Sequence, residues 1–268
     1  MFTINGVPLD NTAYGWLFRK GSQPFITLEA QVGQVTVVGQ RGITQYQTGV
    51  TAGLWPCIIY TPDAHRETLN ALFGAPKLLL SPMAKPDRVA EVQFMASEVD
   101  RIFPRGEFVD MRYTLALLDA AWRDRDEVTT AFASLAAAAS VTVRDLLPGG
   151  SAPVQDAVIR VRGNASGLQV TDPATGAWFA FSEPIPAGSY LRFEAKTGRA
   201  WLTTTDTWTG GTEVSGSIDT SDPYGGFEIT PTFAGQNAHQ RSASLVVSTG
   251  TRGTTTAVQV RARRAYIA

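Results

Sequence analysis

The chain has 268 residues, a formal net charge of −1, 44% hydrophobic residues and a single cysteine, Cys57. Near neutrality gives no electrostatic case for nucleic-acid or anionic-membrane binding, and one thiol permits no internal disulfide. No apolar run approaches the roughly 20 residues a bilayer span needs, and the length suits one large β domain or two ordinary ones.

The first elements are short. Phe2 to Asn5 reads as a terminal strand closed by Asn5-Gly6, and Trp16 to Arg19 as a second. Met1 leads into that strand without a basic n-region and apolar h-region, so no signal peptide is expected. From Gln31 to Gly53 the chain is rich in Gly, Gln and Thr, with a β-like patch at Val35-Thr36-Val37-Val38. It predicts a hairpin or an extended loop. Leu54 to Tyr60 is an apolar strand, with Pro56 pointing to an edge or a strand start. Cys57 within it reads as a small buried hydrophobe. Thr61-Pro62-Asp63 predicts a helix start with an N-cap, a Pro at the first position and an acid in the first turn. Leu69, Leu72 and Phe73 supply its apolar face, and Gly74 its stop.

Two long strands follow. Ala90 to Ala96 alternates Ala90, Val92 and Phe94 against Glu91 and Gln93, and Val109 to Leu117 is apolar or aromatic at every odd position. This period of two is the strongest strand signal in the chain. Asp126 to Ala139 predicts a second helix, from Glu127 in its first turn and Phe132, Leu135 and Ala139 on one stripe. Leu147 to Pro153, crowded with Gly and Pro, is the best linker. It sets the domains at 1–147 and 148–268.

Beyond it the chain is strand and turn. Ala157, Ile159 and Val161 face one way and Arg160 and Arg162 the other; Leu191 and Phe193 oppose Arg192 and Glu194. Such strands are half covered by a core and half wet. Asp172 to Gly176 and Pro186-Ala187-Gly188 are turns with Pro at a fixed φ and Gly free to turn positive. Further strands are expected at Phe227 to Thr230, Ala243 to Ser248 and Thr255 to Ala262.

Catalytic chemistry is poorly supported. His65 on the first helix and His239 in a polar loop are the only histidines, and neither has an orienting partner set. Gly163 to Gly167 lacks the spacing of a nucleophile elbow, and Asn164-Ala165-Ser166 is read as a turn. Asp206, Glu213, Asp219 and Asp222 form no calcium-loop register, so a solvated loop is preferred there. No Gly-rich loop stands between a strand and a helix where a phosphate cradle belongs, and no cofactor is expected. Trp16, Trp55, Trp122, Trp178 and Trp201 lie in or beside strands and read as core. Trp208 sits in a loop, where it contacts a partner or a glycan, or folds back on its own domain. Arg261, Arg263 and Arg264 mark a solvated or partner-facing strand end.

One set of motifs resembles a known family. The strand ending in Gly163-Asn164, the hairpin over Asp172 to Gly176, Trp178-Phe179-Ala180-Phe181, Ile185-Pro186-Ala187-Gly188 and Leu191-Arg192-Phe193 look like the C-terminal galectin-like domain of siphophage distal tail proteins. The opening Phe2-Thr3-Ile4-Asn5-Gly6 and the ending Arg264-Ala265-Tyr266-Ile267 are similar to that family's ends. The resemblance implies a mainly β chain of two domains: a β-sandwich or split barrel with two helices, then a galectin-like antiparallel sandwich. It implies a virion structural protein at the tip of a long non-contractile tail. Its partners would be its own copies in a hexameric ring, the tail tube protein, a tail-tip hub or tail-associated protein and receptor-binding proteins. A lectin-like module is the alternative, although the galectin pattern His…Asn-Pro-Arg…Trp is not legible: Asn164 is followed by Ala165 and Ser166. The strand edges at Phe2 and Ile4, and the excursion carrying Val35, Val37, Arg41 and Tyr46, are the expected ring contacts, since no Lys or Pro guards either segment. Trp208 is the expected partner or glycan contact.

Overall fold

The computed structural model describes residues 1–19, 24, 28–35, 44–118, 121–221, 226–233 and 241–267. For 28–35 and 44–52 the backbone alone is considered. The chain forms two compact units, Met1–Arg125 with Ile267, and Asp126–Tyr266.

The first unit contains β1 (Phe2–Ile4), β2 (Val7–Pro8), β3 (Leu17–Phe18), β4 (Leu28–Val35), β5 (Thr44–Ala52), β6 (Leu54–Pro62), α1 (Arg66–Phe73), β7 (Leu78–Pro82), β8 (Arg88–Ile102), β9 (Phe108–Leu117) and β10 (Trp122–Asp124). Its main sheet is antiparallel in the order β2-β1-β7-β8-β9-β6-β3. The alternation expected for Val109 to Leu117 is realised: Val109, Met111, Tyr113, Leu115 and Leu117 are buried. α1 covers that face with Leu69 and Phe73, and Phe73 stacks on Tyr113 with ring centroids 4.0 Å apart. Cys57 is fully buried opposite Tyr113, and burial pushes its thiol pKa far up.

The helix starts differently from expectation. Pro62 ends β6, and the Thr61 hydroxyl donates to the Pro62 carbonyl (3.1 Å) instead of capping. A turn of 3-10 helix at Asp63–His65 leads in, braced by the Asp63–Arg66 pair (3.3 Å). Gly74 closes α1 with an ordinary φ of −78°, so the stop needs no left-handed glycine.

The second unit contains β11 (Val128–Thr129), β12 (Ala133–Ser134), β13 (Ser140–Leu146), β14 (Val158–Arg162), β15 (Ala165–Ser166), β16 (Leu168–Thr171), β17 (Trp178–Phe181), β18 (Tyr190–Glu194), β19 (Arg199–Thr203), β20 (Thr212–Glu213), β21 (Ile218–Thr220), β22 (Thr232–Phe233), β23 (Arg241–Ser248), β24 (Thr251–Arg252), β25 (Ala257–Ala262) and β26 (Ala265–Tyr266). One sheet runs β11-β25-β14-β18-β19-β20 and the other β13-β23-β16-β17-β21. They bury Ile159, Val161 and Phe193 against Val170, Phe179 and Val247, and Phe179 stacks on Phe193 at 3.9 Å. This is the expected antiparallel sandwich. Its motifs also support each other: Ala165 and Ile185 exchange backbone hydrogen bonds (3.0 and 2.7 Å), and a Cβ on Gly163 would meet the Pro186 carbonyl at 2.3 Å.

Two expectations are corrected here. Asp126 to Ala139 is not a helix. Val128 and Thr129 pair with Ala262 and Arg261, and Ala133 and Ser134 with Val258 and Ala257. Helix propensity is a weak prior, and an alanine-rich stripe has little to bury; only Leu135 reaches the core, whereas Ala139 is exposed. Pairing along β25 also satisfies backbone groups that a helix would leave open on that edge. The compact units divide at Arg125/Asp126, not in the Pro148 to Pro153 run, because β11, β12 and β13 pair into the second sandwich. The expected linker is tied within that unit: the Gly149 N–H donates to Arg241 O (2.8 Å) and the Ser151 N–H to Ala265 O (2.8 Å).

Candidate interaction surfaces

The residues expected at ring contacts separate into three groups. Phe2 and Ile4 lie on a strand paired on both sides, by β2 and by β7, so Phe2 to Asn5 is not the free edge the sequence suggested. Ile4 is fully buried, and Phe2 packs edge-on to Trp55 (5.6 Å) and stacks on Trp122 (6.3 Å). Burying these side chains at home outweighs leaving them for a neighbour. Val35 and Tyr46 fall on β4 and β5, which pair antiparallel with Val35 opposite Thr44 and Gly33 opposite Tyr46. Val37 and Arg41 lie outside the described residues, as do His239 and Asp222.

β4 and β5 therefore form a two-stranded arm with its own ladder, separate from the other sheets. The hairpin alternative for Gln31 to Gly53 is the one realised. A lone hairpin is marginally stable in water without a third strand or a surface to lie on.

A second surface had no counterpart in the sequence reading. Leu78 to Leu80 of β7 pair with Ala90 to Val92 of β8, and there the pairing ends. From Gln93 to Ile102, β8 is bonded to β9 on one side, while its other side carries no strand among the described residues. Phe94, Val99 and Ile102 stand opposite Leu115, Met111 and Val109 in the ladder, and so share the apolar face of β9. Yet their exposures are 37%, 43% and 67%, and Met95 is 55% exposed. Beside this edge, Phe73, Pro76, Leu78, Val92, Phe94 and Leu118 line a groove of about 310 Å³. On the polar side, Arg112 pairs with Glu98 (3.3 Å) and Asp100.

The third surface is the outer face of the second unit's first sheet. The wet side expected for Arg160, Arg162 and Arg192 is correct as a direction, but it is not open. Arg160, only 3% exposed, lies opposite Arg192 and Gln259 in the ladders. Its Nη2 donates to Gln259 Oε1 (2.7 Å) and pairs with Asp206 (2.7 Å); Nε and Nη1 have no hydrogen-bond partner among the described residues. They are surrounded by rings: the Arg160 Cζ is 4.2 Å from the Trp208 centroid, 5.2 Å from Tyr190 and 5.4 Å from Phe132. Arg261 lies 4.6 Å from the same Trp208 ring, and the Arg192 guanidinium donates to the Trp208 carbonyl. Trp208 is thus half-buried on its own domain's arginines, the self-packing alternative, in a set of cation–π contacts. Trp16, Trp55 and Trp122 are core as expected, whereas Trp178 and Trp201 are half-buried, Trp201 lying 4.5 Å from Arg192.

The other singled-out residues have local roles. His65 packs edge-on to Tyr14 at 5.6 Å. Asp206 pairs with Arg160 and Glu213 with Arg199 (3.8 Å), and among the described residues no three metal-ligating side chains come together. Arg261 and Arg263 pair with Glu127 (3.2 Å) and Asp156 (2.8 Å).

No protein-family model and no curated protein matches the sequence. Solved structures do match. The Dit protein (gp 19.1) of phage SPP1, described as a paradigm of the hub adsorption apparatus in phages infecting Gram-positive hosts, aligns with a TM-score of 0.57 and 14% identity, over 99% of this chain and 99% of that one. The activated phage P2 baseplate with calcium aligns more weakly, with a TM-score of 0.40 and 9% identity over 94% and 91% of the two chains. The SPP1 protein therefore shares the fold of this chain from end to end.

Proposed function

We propose that this chain is a structural protein of a long non-contractile phage tail. In this reading it forms a hexameric ring at the distal end of the tail tube and serves as the hub for host-recognition parts. The first unit builds the ring. The second unit carries the tail-tip and receptor-binding components. Its partners are its own copies, the tail tube protein and a tail-associated hub protein, and its place is the virion.

The observation that carries the proposal is the fold shared with the SPP1 Dit protein across 99% of both chains, which includes both units and their order. The arm formed by β4 and β5 adds to it. A closed ring needs a heterologous contact, one surface of a subunit meeting a different surface of the next. Among the described residues, a hairpin outside the main sheet and a sheet edge with no paired strand are two such different surfaces.

The test is the mass of the purified protein in solution across a concentration series, with electron micrographs of the same samples. Six copies and ring-shaped particles are expected. A monomer at every concentration, or a two-fold dimer that never closes further, would overturn the reading.

A further inference from the structure

The outer face of the second unit's first sheet carries an arrangement that strand pairing alone disfavours. Arg160 of β14 stands directly opposite Arg192 of β18, and Arg261 of β25 lies on the same face. Like charges in opposed positions repel. Arg160 is also buried, and a buried guanidinium needs acceptors that share its burial. Gln259 Oε1 is one, at 2.7 Å. The other is the Asp206 carboxylate, also at 2.7 Å, whose side chain is 58% exposed. Water screens an ion pair with so exposed a partner. Nε and Nη1 of Arg160 have no hydrogen-bond partner among the described residues, and Arg192 Nε lies 3.7 Å from Glu194.

Asp206 reaches Arg160 from a strap. β19 and β20 pair through Trp201–Glu213 and Leu202–Thr212, and the chain between them folds back over the arginines. The strap alternates. The hydroxyls of Thr203, Thr205 and Thr207 join in a row (2.9 and 3.2 Å), and Thr207 donates to the Thr209 carbonyl (2.9 Å). Between them, Asp206 and Trp208 meet the arginines; the Trp208 ring rests on Arg160 and Arg261 and its carbonyl accepts from Arg192. Held by the hydroxyl row and by Trp208, the strap keeps its course when Asp206 turns to water. A place for one carboxylate then opens beside Arg160 Nη2.

The surroundings select the occupant. Nε and Nη1 lie among the rings of Trp208, Tyr190 and Phe132, so the guanidinium offers a single nitrogen and not the bidentate fork suited to phosphate. One N–H suits one carboxylate oxygen. Arginine, tryptophan and tyrosine gathered around a desolvated charge have the composition of a protein-interface hot spot. We propose that this place binds an acidic side chain of a protein partner, with Asp206 as its occupant within the chain. The partner's carboxylate replaces Asp206 on Arg160 Nη2, and Trp208 stays as the cover. The inference deepens the reading in which the second unit carries other tail components, and rests on it for the partner's identity. Because Asp206 competes for the place, the apparent affinity for an outside carboxylate falls by the fraction of time the place is free.

The experiment uses the full-length chain labelled with fluorotryptophan, the Trp208 fluorine signal being identified by its loss in Trp208→Phe. The probes are three capped peptides, Gly-Ser-Glu-Ser-Gly and the same peptide with Gln or phosphoserine in place of Glu, titrated at constant ionic strength. The Glu peptide should move the Trp208 signal of the unmodified chain with half-saturation on the order of 1–10 mM. Asp206→Ala should lower that concentration about tenfold or more, and the Gln peptide should leave the signal in place. Should Asp206→Ala unfold, the unmodified chain decides by itself through the contrast between the Glu and Gln peptides. No response to the Glu peptide up to about 10 mM, or an equal response to the Gln peptide, would overturn the proposal. So would a Glu response that Asp206→Ala does not sharpen, since the peptide would then sit elsewhere. Binding of the phosphoserine peptide about tenfold or more tighter than the Glu peptide would overturn the carboxylate in favour of a phosphate-bearing partner. Rings without a peptide response would overturn this site and leave the ring reading standing. A peptide response without rings would support the site and overturn the ring.

Discussion

Replacing Trp208 by Ala tests whether this ring is a structural cover or an exposed anchor. A buried aromatic removes about 150–250 Å² from water, so a half-buried one contributes on the order of 2–3 kcal/mol at about 25 cal/mol per Å². Two guanidiniums at 4.2 and 4.6 Å from the ring centroid add cation–π attraction of about 1–2 kcal/mol. An opposing term comes from Arg160. Its Nε and Nη1 have no acceptor among the described residues, and once the ring is gone water can reach them, returning about 1–2 kcal/mol. The net expectation is a loss of about 2–3 kcal/mol in the second unit. At a slope near 2 kcal/mol per M this moves its urea midpoint down by roughly 1–1.5 M. Trp208→Phe should lose about half as much, because a smaller ring still covers the guanidinium. The assay is urea unfolding followed by far-ultraviolet circular dichroism on both variants. A shift below about 0.3 M in Trp208→Ala, together with lost binding to a glycan or a tail protein, would refute the structural reading and make the residue a contact.

Three further outcomes follow from the fold. Cys57 should resist thiol reagents in the native protein and react only on unfolding, since burial favours its neutral form; rapid native labelling would contradict this. A fragment of residues 126–268 should fold cooperatively, whereas one of residues 148–268 should not, because it lacks β11, β12 and β13 and the buried Leu135, Val143 and Leu146. Equal melting of the two fragments would restore the boundary at Pro148–Pro153. His65→Ala should cost at most about 1 kcal/mol, from the edge contact with Tyr14, and leave assembly unchanged; a lost activity in that variant would reopen an enzymatic reading.

What was legible in the sequence follows from how local each signal is. The Val109–Leu117 strand and the Arg160/Ile159 alternation were readable because a period of two requires only one covered face. The turns at Gly176 and Gly188 were readable because φ of +76° at both favours glycine. Asp126–Ala139 was not: its residues favour a helix locally, and only the need of β25 for pairing partners overrides that. Phe2 and Ile4 misled in the same way. A terminal strand without Lys or Pro looks like an open edge until β7, some 75 residues away, is found beside it. The β8 edge was invisible for the converse reason: Ala90–Ala96 has the pattern of a covered strand, and nothing nearby announces that β7 stops at Val92. The arginine–tryptophan layer needed three separate strands and a loop to be brought together.

The two units treat their edges differently, and this bears on where assembly takes place. In the second unit the outermost strands of one sheet, β11, β12 and β20, have two residues each. In the other sheet β21 has three, and the longer β13 is interrupted by a bulge between Val143 and Leu146 that places the exposed Arg144 and Asp145 on it. These are the usual devices against strand addition. In the first unit β2 is short and ends in Pro8, and β3 has two residues, so both ends of the main sheet are blunted in the same manner. The Gln93–Ile102 side of β8 also carries bulges, two of them, and the charges of Glu98, Asp100 and Arg101, but it is longer and has apolar side chains exposed beside it. The apolar Phe94, Met95, Val99 and Ile102 exposed beside that edge risk aggregation as a monomer unless a partner covers them. Because this apolar strip lies in the first unit, contacts between copies are expected there. The second unit, with its edges closed and its arginine face covered by Trp208, should offer side chains to its partners instead of backbone.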